Sequence, residues 1–291
     1  MTIADYGSTA GDAPGPLSGL RVTCAAIYLP ALLAARRLGD LGASVSIVEP
    51  PVGNPMRHWA SAWYAHLYDG AALCRIDWKT AAGAAQLDVL LDASDVLLTS
   101  SRPSTLERVG LGAARLRARF PALCHVAIVG FAPPHEDEAG HDLTYQAHLG
   151  LLQPPHLPRM LVADLAGSER AVSAATALLI GRARGRAERR ADVSLSDAAS
   201  GFAAPWRHGM TTPDGILGGA FAGYAIYAAR EGWVALAALE PHFWRRIAEL
   251  LTPDAAAPPD HESLARVFAT RGAAEWERWA RDNGLPLVEV R

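Results

Sequence analysis

An alternation constrains this chain more than any other feature. Between residues 20 and 131, short apolar runs that read as buried strands take turns with segments of helical period. LRVTCAAIYL (residues 20–29) is a strand running into a loop. ALLAARRLGDLGA (31–43) is helical, with Gly42 as its C-terminal cap, and SVSIVEP (44–50) is the next strand. Strand, helix, strand over about thirty residues is a βαβ unit. The pattern repeats in TAAGAAQLDVLLDAS (80–94) and DVLLTSS (95–101), then in STLERVGLGAARLRARF (104–120), a helix or helix pair, and ALCHVAIVGF (122–131). Such alternation predicts an α/β fold, a parallel sheet with helices on both faces. Ligands on such sheets bind beyond the carboxyl ends of the strands. SSRP (100–103) and VGFAPPHEDEAGHD (129–142) sit at two of those ends.

Further along, DLTYQAHLGLL (142–152) reads as a helix capped by Asp142, and a proline-rich bend follows. DLAGSERAVSAATALLIGRARG (164–185) reads as a long helix opened by Asp164, and ADVSL (191–195) as a short strand. The shift to glycine, proline and threonine near residues 204–223 marks a domain boundary. The expected division is a lead-in over 1–15, a large domain over 16–203 and a small α+β domain over 204–291. In the latter, YAIYAA and WVALAAL form a hairpin, with helices starting near Pro241, Glu262 and Ala273.

Composition excludes several function classes. A net charge of −3 without a basic stripe argues against general nucleic-acid binding. Lys79 is the only lysine among the 27 cationic residues, and arginine suits phosphate through its planar fork. Cys24, Cys74 and Cys124 show no CxxC spacing and read as buried small hydrophobes of a reducing compartment. MTIADYGSTAGDAPGP has neither a basic n-region nor an apolar h-region, so it reads as a disordered lead-in and not a signal peptide. No charge-free apolar run of about 18 residues occurs, which predicts no membrane span and a cytoplasmic protein. The histidines show no HxxxH or HExxH spacing, so no metal is expected. SLSDA lacks a GxSxG setting, and no GxGxxG opens the first helix.

Seven segments in order resemble the family III CoA-transferases, the carnitine dehydratase/bile-acid-inducible (CaiB/BaiF) group that includes the α-methylacyl-CoA racemases. They are PLSGLRV (16–22), LGDLGASVSIVEPPVGNPMR (38–57), SDVLLTSSRPSTLERVGLG (94–112), GHDLTYQAHLGLL (140–152), ADLAGSERA (163–171), ADVSLSDA (191–198) and GWVALAALEPHFW (232–244). The resemblance implies a Rossmann-like domain holding coenzyme A, a smaller C-terminal domain and an interlocked homodimer. Its substrates would be an acyl-CoA and a carboxylic acid. It makes Asp164 a covalent nucleophile passing through an aspartyl-CoA thioester. Aspartate at a helix start is also a common N-cap, and backbone N–H groups near Gly167 and Ser168 are expected to serve the oxyanion.

The GHD motif resembles the racemase branch, which would make His141 and Asp164 the two acid/base groups. Glu240 before Pro241 matches another racemase feature, and also a plain helix start. For the cofactor, the resemblance points to Arg108 in LERVG, with Arg102 beside it, Arg75 and Arg57 as weaker candidates, and Asp142. Gly218 and Gly219 match a glycine-rich segment that closes over the site in transferases, and also read as a linker. Leu29-Pro30 stands where relatives carry glycine-proline, and ALCRIDWKT replaces an asparagine-arginine-x-lysine stretch. The chain stops at LPLVEVR, near the expected end of the small domain, which predicts reduced interlocking of the dimer. Three functions therefore stand: CoA transfer first, an α-methylacyl-CoA racemase or epimerase second, and a non-catalytic acyl-CoA-binding protein third.

Overall fold

The computed structural model describes residues 15–253 and 257–291. The lead-in expected over 1–15 lies outside them, apart from Gly15. The chain divides into two compact units, Met1–Phe202 and Ala203–Arg291.

In the first unit, strands β1 (Arg21–Ala25) and β2 (Ser44–Glu49) flank helix α1 (Leu29–Asp40). Helices α2 (Met56–Trp59) and α3 (Ser61–Tyr68) precede β3 (Ala72–Arg75). There follow α4 (Ala81–Asp92), β4 (Val96–Thr99), α5 (Pro103–Arg108), α6 (Ala113–Arg119) and β5 (Cys124–Val129). Last come α7 (Asp142–His148), α8 (Val162–Ala183), β6 (Arg190–Ser194) and α9 (Leu195–Phe202). The six strands form one parallel sheet in the order β3-β2-β1-β4-β5-β6. This is the doubly wound order, and it reverses direction between β1 and β4.

The strands read as continuous apolar runs because both faces are covered. Val96 and Leu98 pack on one face and Leu97 on the other; Ile47 and Val48 divide the same way. The first face is sealed by α1 and α8, whose facing stripes are alanine: Ala31, Ala34 and Ala35 on α1, Ala171 and Ala175 on α8. Such small side chains let helix and sheet backbones approach closely. The second face packs Leu87, Leu91, Leu106 and Leu116 of α4, α5 and α6. Pro30 lies in the first turn of α1, where its missing N–H costs nothing.

One histidine is buried in the sheet. His125 accepts a hydrogen bond at Nδ1 from Arg190 (3.0 Å) and lies 2.9 Å through Nε2 from Thr99 Oγ1. Arginine only donates, so Nδ1 is the bare nitrogen and Nε2–H donates to Thr99. Burial and the Arg190 charge push its pKa down to about 3, and it stays neutral at physiological pH.

The second unit comprises α10 (Ala204–Arg207), β7 (Tyr224–Ala228), β8 (Trp233–Ala237), α11 (Pro241–Leu251), α12 (His261–Phe268), α13 (Ala273–Asp282) and β9 (Leu287–Glu289). The three strands are antiparallel in the order β7-β8-β9. Their core centres on Trp276, whose Nε1 donates to Phe268 O (2.8 Å) while its ring meets Phe268 edge-on at 5.3 Å. The Arg271 guanidinium lies 4.7 Å above that ring.

Six elements were not expected from the sequence: α2, α3, β3, α9, α10 and β9. Each is short or, in β3, exposed, so none presents a full hydrophobic period. The 104–120 segment is a helix pair. Trp276→Ala is expected to cost about 3–5 kcal/mol, read as a lowered midpoint in chemical denaturation.

Candidate active site at the sheet's switch point

Where the strand order reverses, the loops after β1 and β4 part and leave a cavity of about 610 Å³. Ile27 to Pro30 line it from the β1 side, and Ser100, Ser101 and Arg102 from the β4 side. The loop after β5 adds Gly130, Glu136 and the run from Glu138 to His141. Asp164 and Leu195 close the floor. Met56, Trp59 and Trp63 of the short helices α2 and α3 form an apolar wall. Crevices at this point of a doubly wound sheet are where such folds bind ligands.

Asp142 organises the end of the cavity at which Asp164 sits. The sequence suggested that it caps its own helix, but His141 occupies the cap position of α7 and Asp142 is the first helical residue. Its carboxylate reaches across to the start of α8. There Oδ2 accepts from the backbone N–H groups of Ala163 (2.7 Å) and Asp164 (3.0 Å), and Oδ1 accepts from Gln146 Nε2. Gln146 Nε2 also donates to Met160 O (2.9 Å). Helix α8 starts at Val162, so Asp164 does not open it as expected; it is the third residue, and the capping work falls to Asp142. The expected oxyanion donors at this helix start are therefore not free. Asp142 takes two of them, and Gly167 and Ser168 lie inside the helix, where ladder bonds occupy their N–H groups.

Relieved of capping, the Asp164 side chain faces the cavity. Among the described residues its carboxylate has neither a hydrogen-bond donor nor an ion-pair partner. Burial, and then the Asp142 charge, raise its pKa from 3.8 to about 7. His141 is exposed on the same cavity, its backbone N–H held by Thr144 Oγ1 at 3.0 Å. Tyr145, one turn into α7, is buried and lines the cavity too.

The other candidates from sequence divide. Arg102 lines the cavity as the cap residue of α5. Arg108 does not; it folds back on its own helix, Nε to Ser104 O and Nη2 to Thr105 Oγ1 (3.0 Å). Arg75, at the end of β3, faces the buried Glu49 carboxylate at 4.0 Å, and Tyr64 O–H donates to the same carboxylate. Asp142 is structural support for Asp164. Glu240, Gly218 and Gly219 lie in the second unit. Glu240 is the exposed cap residue of α11, ahead of Pro241. A side-chain carbon at Gly218 would fall 1.8 Å from Thr212 O, so the loop requires glycine there, and Gly219 has φ +119°. Among the described residues, no group of three or more His, Cys, Asp or Glu is placed to hold a metal, and no helix is long and apolar enough to cross a membrane.

Sequence reasoning missed Trp59, Trp63, Glu136 and Tyr145. The first two had a signal, since aromatic residues at 59, 63, 64 and 68 follow helical spacing. Glu136 and Tyr145 had none.

The sequence profile of CoA-transferase family III matches residues 17–291. The chain belongs to that family. Among curated members, it is 35% identical over 137 residues to the succinyl-CoA–D-citramalate CoA-transferase of Chloroflexus aurantiacus, covering 44% of this chain and 34% of that one. It is 30% identical over 208 residues to a probable fatty acyl-CoA transferase of Mycobacterium tuberculosis, covering 65% and 52%. This chain thus spans about a third and about half the lengths of these two relatives. A crystal structure of a Mycobacterium tuberculosis protein superposes with a TM-score of 0.83 at 26% identity, over 96% of this chain and 86% of that one. Every residue that lines the cavity belongs to the parallel-sheet unit.

Two outcomes follow from the electrostatics. The folded-state pKa of Asp164 lies above its unfolded value, so the native state binds the extra proton between about pH 4 and 7. Its contribution to stability falls as pH rises through that window. Asp164→Asn is therefore expected to raise Tm by a few degrees at pH 8, and less at pH 5, in paired melts. Asp142→Ala is expected to cost about 2–3 kcal/mol through the uncovered N–H groups, measured by urea unfolding.

Proposed function

We propose that this protein transfers coenzyme A between an acyl-CoA thioester and a carboxylic acid, with Asp164 as the covalent nucleophile. The observation that carries this reading is the unpaired, half-buried Asp164 carboxylate facing the switch-point cavity with a pKa near neutrality. Family membership and the transferase names of the relatives support it.

The chemistry balances on one side chain. An Asp164 oxygen adds to the thioester carbonyl carbon, and the carbonyl electron pair moves onto oxygen. Collapse expels the CoA thiolate and leaves a mixed anhydride. The thiolate then attacks the Asp164 carbonyl carbon, releasing the first acid and forming an aspartyl-CoA thioester. The acceptor carboxylate repeats the sequence in reverse and leaves with CoA, restoring Asp164. A carboxylate raised to about 7 is a stronger nucleophile than an ordinary aspartate, and Asp164 holds no hydrogen bond from a described residue that would have to break before it attacks. Arg102 would meet anionic groups of the substrate, and the wall of Met56, Trp59 and Trp63 suits apolar parts of the acyl or pantetheine arm. The reading includes a CoA-binding large domain over 16–203, a small domain over 204–291, a cytoplasmic homodimer, and no metal.

The second reading is an α-methylacyl-CoA racemase or epimerase. It is favoured by His141 and Asp164 lining one cavity, two proton-transfer groups where that reaction needs a pair.

Incubation with a panel of acyl-CoA thioesters in deuterated buffer separates the two. Transfer predicts a CoA-sized adduct on the intact protein, absent in Asp164→Asn, and CoA passing to an added acid. Deuterium entering the α-carbon without adduct, and lost in His141→Ala, would instead establish the racemase. Only ionised Asp164 attacks, so the adduct-forming rate is expected to rise with pH and reach half its maximum near 7. CoA binding without turnover of any thioester would leave the binding-protein reading.

A further inference from the structure

We propose that Tyr145 supplies the hydrogen bond that stabilises the oxyanion formed when Asp164 attacks. This rests on Asp164 being the nucleophile, and it answers a need the helix start leaves open. Addition to a thioester carbonyl puts a negative charge on oxygen, and such a site requires a fixed donor aimed at that charge. At the start of α8, Asp142 already takes the N–H groups of Ala163 and Asp164.

Tyr145 is placed to serve. The residue is 1% exposed yet lines the cavity, and its hydroxyl forms no hydrogen bond with any described residue. A buried phenol normally finds a partner, so this one is left for whatever enters the cavity. The ring is fixed from several sides. Phe131 meets it edge-on at 5.1 Å. A side-chain carbon at Gly130 would fall 2.5 Å from the hydroxyl oxygen, and one at Gly140 would fall 2.5 Å from the ring. Two glycines therefore leave room for this ring, and the backbone around it holds its direction. The α7 turn that carries it is the one Asp142 docks onto the start of α8, so phenol and carboxylate share a single support. Burial, followed by the Asp164 charge, pushes the phenol pKa up, which keeps it protonated as a donor across the working pH range. The opposing influence of Arg102 places that guanidinium within electrostatic reach of the same hydroxyl. In the addition step the phenol keeps its proton. It donates a hydrogen bond to the oxygen that receives the carbonyl pair, and the bond weakens when that pair returns and the thiolate leaves.

The test measures single-turnover adduct formation with the full chain. Tyr145→Phe keeps the ring and is expected to slow the step about 100-fold, with unchanged Tm and unchanged affinity for free CoA. Fluorinated tyrosines at position 145 keep both ring and hydroxyl while grading its acidity, and the rate is expected to follow that acidity. Parent-like rates in Tyr145→Phe, with Asp164→Asn inactive, would overturn the Tyr145 role and leave the nucleophile standing. A slowed Tyr145→Phe that loses CoA affinity or Tm in proportion, with no response to fluorination, would equally reduce Tyr145 to packing. Full adduct formation in Asp164→Asn would instead remove the nucleophile assignment itself, and the oxyanion role with it.

Discussion

The site depends on one buried carboxylate and two backbone N–H groups. A 22-residue helix leaves unpaired donors at its start, and here the partner for two of them comes from another helix, through Asp142. This fixes the direction of α7 against α8, stabilises the positive end of a long dipole, and excuses Asp164 from a task aspartates at helix starts usually perform. A carboxylate that capped its own helix would be held by hydrogen bonds and pulled down in pKa. Asp164 has no such bonds and lies beside a second negative charge, so it moves the opposite way. Of the two aspartates at this helix start, Asp142 is tied up in backbone hydrogen bonds and Asp164 is left open to the cavity.

The sheet supplies the setting. Its order turns at β1 and β4, and a turn of that kind splays the following loops and leaves a crevice. The alanine stripes of α1 and α8 matter here as well. They seat α8 tightly on the sheet, which sets the height at which its first turn emerges beside the crevice.

The large elements were readable because their apolar runs are long and buried on both faces. β1, β2, β4 and β5 and the helices α1, α4, α5 and α6 followed from periodicity, as did the β7/β8 hairpin. Short or exposed pieces did not: β3 has no fully buried residue, and α2 spans one turn. In the site, Asp164 was singled out through a family resemblance and not through its local pattern, which matched a cap equally well. The exchange of roles between Asp142 and Asp164 was not legible, because the partners lie 21 and 22 residues apart in the chain and no local rule links them. Arg108 led on paper, through the family resemblance, with Arg102 beside it. Arg108, in the last turn of α5, bonds back to Ser104 and Thr105 of its own helix, while Arg102 caps α5 at the cavity.

The clamp on Tyr145 has a consequence for how this sequence is able to change. Gly130, Gly140 and Tyr145 occupy one volume, and that volume is shared at contact distance. Adding a methyl group at either glycine first would evict the ring, while trimming the ring first would open space that either glycine could then fill. The three positions therefore drift as a set and in a required order, the aromatic residue before the glycines. A lineage that has filled a glycine position cannot regain the tyrosine by a single reversal, so the clamp acts as a ratchet on its history.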